Sequence, residues 1–93
     1  MSKVVSYENR DRFIKLGIII STLRKIRGIS QEQLAEKAKI SRSLLSSIEA
    51  PGMVSGFSME VFFNIADALG VSPADLLNAS FFSDEKIGLK YGL

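Results

Sequence analysis

The sequence predicts an all-α domain of five helices. Three observations carry that prediction. Serines stand where helices should begin, glycines close two of the segments, and no central segment alternates apolar and polar residues with period two.

The first helix spans residues 9–27, a long periodic stretch that Gly28 stops. Residues 1–8 form an arm before it, in which KVVSY has the composition of a short strand. The second helix spans 31–38. Ser30 opens SQEQ with Gln33 three positions on, which is a capping box. Ser41 caps the third helix, 42–50, and Ser58 caps the fourth, 59–69, which Gly70 ends. The fifth spans 73–78: Ser72 is its cap, Pro73 takes the first helical position, and Asp75 sits in the first turn. A helical domain over 9–78 therefore precedes a tail, 79–93. In IGLKYGL the residues Ile87, Leu89, Tyr91 and Leu93 alternate like a strand, although two glycines weaken that pattern.

Composition excludes several kinds of chemistry. The 93 residues are one small domain, and 46% of them are apolar, enough for a packed core. With no cysteine there is neither a disulfide framework nor a thiolate metal site. With no histidine, imidazole catalysis and most transition-metal sites lose their usual ligand. No metal and no cofactor is expected. The apolar patch GIII is short and flanked by Lys15 and Arg24, so it reads as neither a signal peptide nor a membrane span of about 20 residues. A soluble cytoplasmic chain with no membrane partner is the expectation.

The net charge of +2 is unevenly placed. Residues 1–42 carry ten Lys/Arg and four Asp/Glu, giving +6; residues 43–93 carry two and six, giving −4. Such asymmetry fits a face built for an anion, of which nucleic acid is the commonest. A solvated basic helix would read the same way.

The segment around KISRSLLSSIE is the most informative. About three residues join helices 31–38 and 42–50, which forces a sharp crossing. Leu34 and Ala38 share a face, Ile40 lies in the turn, and Ala35 is small where the helices would approach. Projected at about 100° per residue, Leu45 and Ile48 point to the core, with Leu44 at the edge of the same arc. Arg42, Ser43, Ser46 and Ser47 fall on the opposite arc. Serine is a modest helix former, and a face meant only for solvation usually carries Glu and Lys. The contrast favours a contact face.

LGIIISTLRKIRGISQEQLAEKAKISRSLLSSIE, continued by SMEVFFNIADALGVSPADLL, resembles the Xre/Cro/lambda-repressor-type helix-turn-helix family. The resemblance covers about residues 16–77. It implies a lambda-repressor-like DNA-binding domain acting on double-stranded DNA, with Gln31 at the start of the second helix holding a phosphate. It also places Ser41, Arg42, Ser43, Ser46 and Ser47 toward the major groove. Arg42 is the expected base reader, through guanine O6 and N7; a phosphate contact is its alternative. The serines suit phosphates, base edges or apolar contacts alike. Arg24 and Glu49 match a family pair that bridges the first helix and the end of the third, a structural ion pair.

The chain departs from the family at three places. Lys39 occupies the turn position where glycine is usual, at a conformational penalty of about 1 kcal/mol, and brings a cation close to the DNA. The segment EAPGMVSGFS, 49–58, is longer than the usual loop and has no Lys or Arg; no basic residue occurs between Arg42 and Lys86. Ile18 and Ile19 stand where the family is often polar, and Phe81, Phe82, Ile87, Leu89 and Tyr91 extend past the fifth helix. These residues suit either a satellite core or a dimer interface, and the dimer is the expectation.

The function expected from these readings is a sequence-specific transcription regulator, a repressor that occupies a promoter as a homodimer on a pseudo-palindromic operator. A protein-interaction adaptor on the same scaffold is the alternative, motivated by the uncharged loop and the apolar tail. An enzyme is not expected, since Ser43 and Ser46 have no evident base.

Overall fold

The computed structural model describes residues 5–50, 52 and 56–81. A short 3₁₀ turn, Tyr7–Asn9, leads into α1 (Arg10–Ile26), followed by α2 (Gln31–Ala38), α3 (Arg42–Glu49), α4 (Met59–Leu69) and α5 (Pro73–Phe81). Five α-helices are expected and five are present among the described residues. The first and third are trimmed at their ends, and the fifth runs three residues beyond the expected Asn78. Among the described residues there is no strand: Val5 and Ser6 are irregular, and most of the tail lies outside the described residues.

Each of the four later helices opens on its serine. Ser30, Ser41, Ser58 and Ser72 accept the backbone N–H three residues on, at 3.0, 2.9, 3.2 and 3.0 Å. For α2 the return bond is also made, with Ser30 N–H donating to Gln33 Oε1 at 2.8 Å, which completes the capping box.

Three helices end in one way. After α1, α2 and α4 a single left-handed residue turns the chain: Gly28, Lys39 and Gly70. The next residue, Ile29, Ile40 or Val71, donates its N–H five positions back to Arg24, Ala35 or Ala66, at 3.2, 3.0 and 3.0 Å. All three of those apolar residues pack half-buried against the core. This is the Schellman closure with its hydrophobic contact, and it makes each helix end also a piece of core.

The core draws on every helix: Leu16 and Ile20 from α1, Leu34, Ala35 and Ala38 from α2, Leu45 and Ile48 from α3, Phe62, Ile65, Ala66 and Leu69 from α4, and Leu76 from α5. Helix α1 packs against α3 and α5, and α2 lies between α3 and α4. Gly17 sets the approach of α1 to α3, because a Cβ there would overlap the carbonyl oxygen of Ile48. Phe57 meets Phe13 edge-on, centroids 5.3 Å apart, and so ties the segment before α4 to α1. No helix among the described residues is long and apolar enough to cross a membrane.

Candidate nucleic-acid interface

Helix α3 has two distinct sides. Leu45 and Ile48 are buried at 0% and 4% exposure, and Leu44 packs half-buried at the edge of the core. Leu44 is therefore a packing residue. On the opposite side Ser41, Arg42, Ser43 and Ser46 are exposed. Ser47 is half-buried, and its hydroxyl donates back to the Ser43 carbonyl at 3.1 Å. Of the expected contact residues on α3, then, Arg42, Ser43 and Ser46 are the most open, Ser41 also caps the helix, and Ser47 turns partly onto its own backbone.

Helix α2 crosses α3 through the turn Lys39–Ile40–Ser41. Lys39 is exposed and is the sole non-glycine residue at positive φ among the described residues, at φ 60° and ψ 39°. It stands in the chain between the end of α2 and the Ser41 cap of α3. Gln31, at the other end of α2, is half-buried.

Behind these residues lies the ion pair. Arg24 Nε donates to Glu49 Oε2 at 2.9 Å and Arg24 Nη2 to Glu49 Oε1 at 3.1 Å, a two-pronged contact between groups 11% and 4% exposed. Arg24 Nη1 also donates to the Ile29 carbonyl at 2.8 Å. Buried charges of this kind are held by geometry and by satisfaction of every remaining donor and acceptor, and among the described residues no buried side-chain polar atom lacks a partner. The pair fastens the end of α1, the turn after it and the end of α3 at one point.

Two contacts of this region were not foreseen from the sequence. Gln31 Nε2 donates to Glu49 Oε1 at 2.9 Å, so the residue expected to hold a phosphate is also joined to the ion pair. Arg27 Nε donates to the Leu69 carbonyl at 2.8 Å, placing a guanidinium on the C-terminal end of α4, where it complements the helix dipole. Both join residues far apart in sequence, and neither has a local pattern that would reveal it.

Exposed charge is mixed in the first half, where Glu8, Asp11, Glu32 and Glu36 are exposed beside the cations, and acidic on α4 and α5. Arg10, Arg12, Lys25 and Arg27 on and beside α1, Lys37 and Lys39 at the end of α2, and Arg42 on α3 are exposed; the exposed carboxylates of the second half, Glu60, Asp67 and Asp75, stand on α4 and α5. Among the described residues no cluster of His, Cys, Asp or Glu could hold a metal ion.

A helix-turn-helix family model matches residues 20–76, more than half of the chain and all of α2, α3 and α4. No curated protein matches. Among solved structures, the restriction-modification controller protein C.AhdI from Aeromonas hydrophila is 29% identical with a TM-score of 0.65, over 70% of this chain and 96% of that one. The clp gene regulator ClgR from Corynebacterium glutamicum is 28% identical with a TM-score of 0.71, over 86% of this chain and 83% of that one. A further structure of that regulator is 29% identical with a TM-score of 0.68, over 77% and 91%.

Proposed function

The chain belongs to the helix-turn-helix family, and on that premise we propose a sequence-specific regulator of transcription that lays α3 in the major groove of double-stranded DNA. The observation that carries the reading is the separation of faces on α3. Leu45 and Ile48 lock one side into the core, while Arg42, Ser43 and Ser46 stand exposed on the other. Gln31 opens α2 and Lys39 closes it, and both are assigned to phosphates beside the groove. The similarity to two regulators supports the same assignment. As a homodimer on a pseudo-palindromic operator, the protein represses by occupying a promoter.

The test is a titration onto the DNA upstream of its own coding sequence, against scrambled competitor, at several salt concentrations. Binding no tighter than to the competitor would overturn the reading. Within that assay Arg42→Ala separates two roles. As a base reader Arg42 contributes about 1–3 kcal/mol on the cognate site and much less on random DNA. An equal loss on both would make it a phosphate contact.

A further inference from the structure

A glutamine amide can present either its oxygen or its nitrogen, and only the nitrogen attracts a phosphate. In an exposed glutamine nothing decides which. Here the choice is made by Glu49, whose Oε1 accepts from Gln31 Nε2 at 2.9 Å. An amide oxygen in that place would face a carboxylate and be repelled. The two N–H bonds of an amide diverge in its plane, so while one is given to Glu49 the other is directed elsewhere, and it has no protein partner among the described residues. Gln31 is the first residue of α2, at the end of the helix where backbone N–H groups lack intrahelical partners.

Glu49 could do this only if its own charge did not repel DNA. Arg24 removes that objection: both carboxylate oxygens are bound by its guanidinium at 2.9 and 3.1 Å, and the pair is buried. The result is a neutral buried unit with one remaining polar task, to hold the Gln31 amide. A charged acceptor makes that bond stronger than a neutral one would, and bonding of one N–H polarises the amide further.

From this arrangement we propose that Glu49, neutralised by Arg24, is a positioning residue that fixes the Gln31 side chain with an N–H directed at a DNA phosphate. The proposal rests on the reading of the chain as a DNA-binding regulator. The ion pair then has two duties, fastening α1 to α3 and orienting a contact that neither charged residue makes itself. Because Gln31 is uncharged, its contact adds affinity without adding to the salt dependence.

The test is a cycle of variants measured by operator affinity and by thermal unfolding. Gln31→Ala is made in the wild type and in Arg24→Met/Glu49→Met, where apolar side chains of similar size replace the buried pair, a change often tolerated by the fold. Gln31→Ala should weaken operator binding about tenfold in the wild type and less than about threefold in the double variant, with the salt slope unchanged. A purely structural ion pair would leave the effect of Gln31→Ala equal in both backgrounds, and that result would overturn the proposal. If the double variant does not fold, the Gln31 side-chain amide is read by NMR in the free wild-type protein. Nε2 relaxation as slow-moving as that of the backbone, with one of the two amide protons shifted by its bond to Glu49, supports positioning, whereas the relaxation of a mobile side chain with the shifts of a free glutamine amide overturns it. If the wild type binds its operator and Gln31→Ala changes the affinity less than twofold, positioning fails and the regulator reading stands. If the wild type shows no preference for the operator, the regulator reading fails, and the positioning role with it.

Discussion

Lys39 is the residue whose cost and use are easiest to separate. The same closure ends α1, α2 and α4, with glycine at the left-handed position in the first and last and lysine in the middle one. A Cβ in that conformation costs an L-residue about 1 kcal/mol, so Lys39→Gly should raise the unfolding free energy by about that amount in a denaturant titration. If the lysine was retained for its cation, the same variant should bind DNA more weakly and lose about 0.9 from the salt slope for each protomer in contact. Stability rising while affinity falls would identify a functional residue held at a conformational cost. Gly17 makes the opposite case. Its φ needs no glycine; its neighbour does, since a Cβ would strike the carbonyl of Ile48. Gly17→Ala must push α1 away from α3 in a region shared with the Arg24–Glu49 pair. It should cost about 3 kcal/mol, at the upper end for overpacking, visible as a lowered Tm.

At the scale of the element, the caps decide what could be read beforehand. Helices α2 to α5 start where expected because each start is written in one residue, a serine whose hydroxyl accepts the N–H three positions on. That information is local, as is the glycine that ends α1 and α4. The end of α5 has no such mark. No glycine or proline stands within the nine residues after Asn78, and the helix continues through Ala79, Ser80 and Phe81, with the Ser80 hydroxyl buried and donating to the Leu76 carbonyl at 2.9 Å. The two faces of α3 were legible for the same reason: a helical period maps directly onto burial. The contacts of Gln31 with Glu49 and of Arg27 with Leu69 were not, because each depends on how two helices lie in space, 18 and 42 positions apart in the chain. The caps also supply a control for the proposed interface. Ser58→Ala and Ser41→Ala should each lower stability by about 1 kcal/mol. Ser58 serves α4 alone, so its variant should bind DNA as the wild type does once folded. Ser41 starts α3, so its variant should lose affinity as well. Equal affinities for the two variants would remove Ser41 from the interface.

Across the whole molecule, the proposed binding to DNA depends on charge and, for a dimer, on symmetry. The described half that carries α1 to α3 has more cations than carboxylates, while every charged residue of α4 and α5 is a carboxylate, so the first half is the more attractive to a polyanion. Yet few cations lie on α2 and α3 themselves. If Lys39 is the ionic phosphate contact of each protomer and Arg42 reads a base, a dimer neutralises about two phosphates, and log affinity should fall with log salt at a slope of roughly −1.8; Arg42 on phosphate would bring the slope to roughly −3.6. That is a shallow dependence, and it means that a single copy would be held weakly. Two copies related by a two-fold axis would place their α3 helices about 34 Å apart, one turn of DNA. Spacing is then the decisive variable. Inserting roughly 5 base pairs between the half-sites should abolish tight binding by putting the second half-site on the opposite face of the duplex, and inserting about 10 should leave each half-site on the correct face but one turn too far away. A rigid dimer fails on both insertions. A dimer joined through a yielding connection recovers on the second, and independent monomers are indifferent to either. Electrophoretic titration of the three DNAs at one low salt concentration would distinguish the three cases, and indifference to both insertions would end the dimer reading while leaving the assignment of α3 intact.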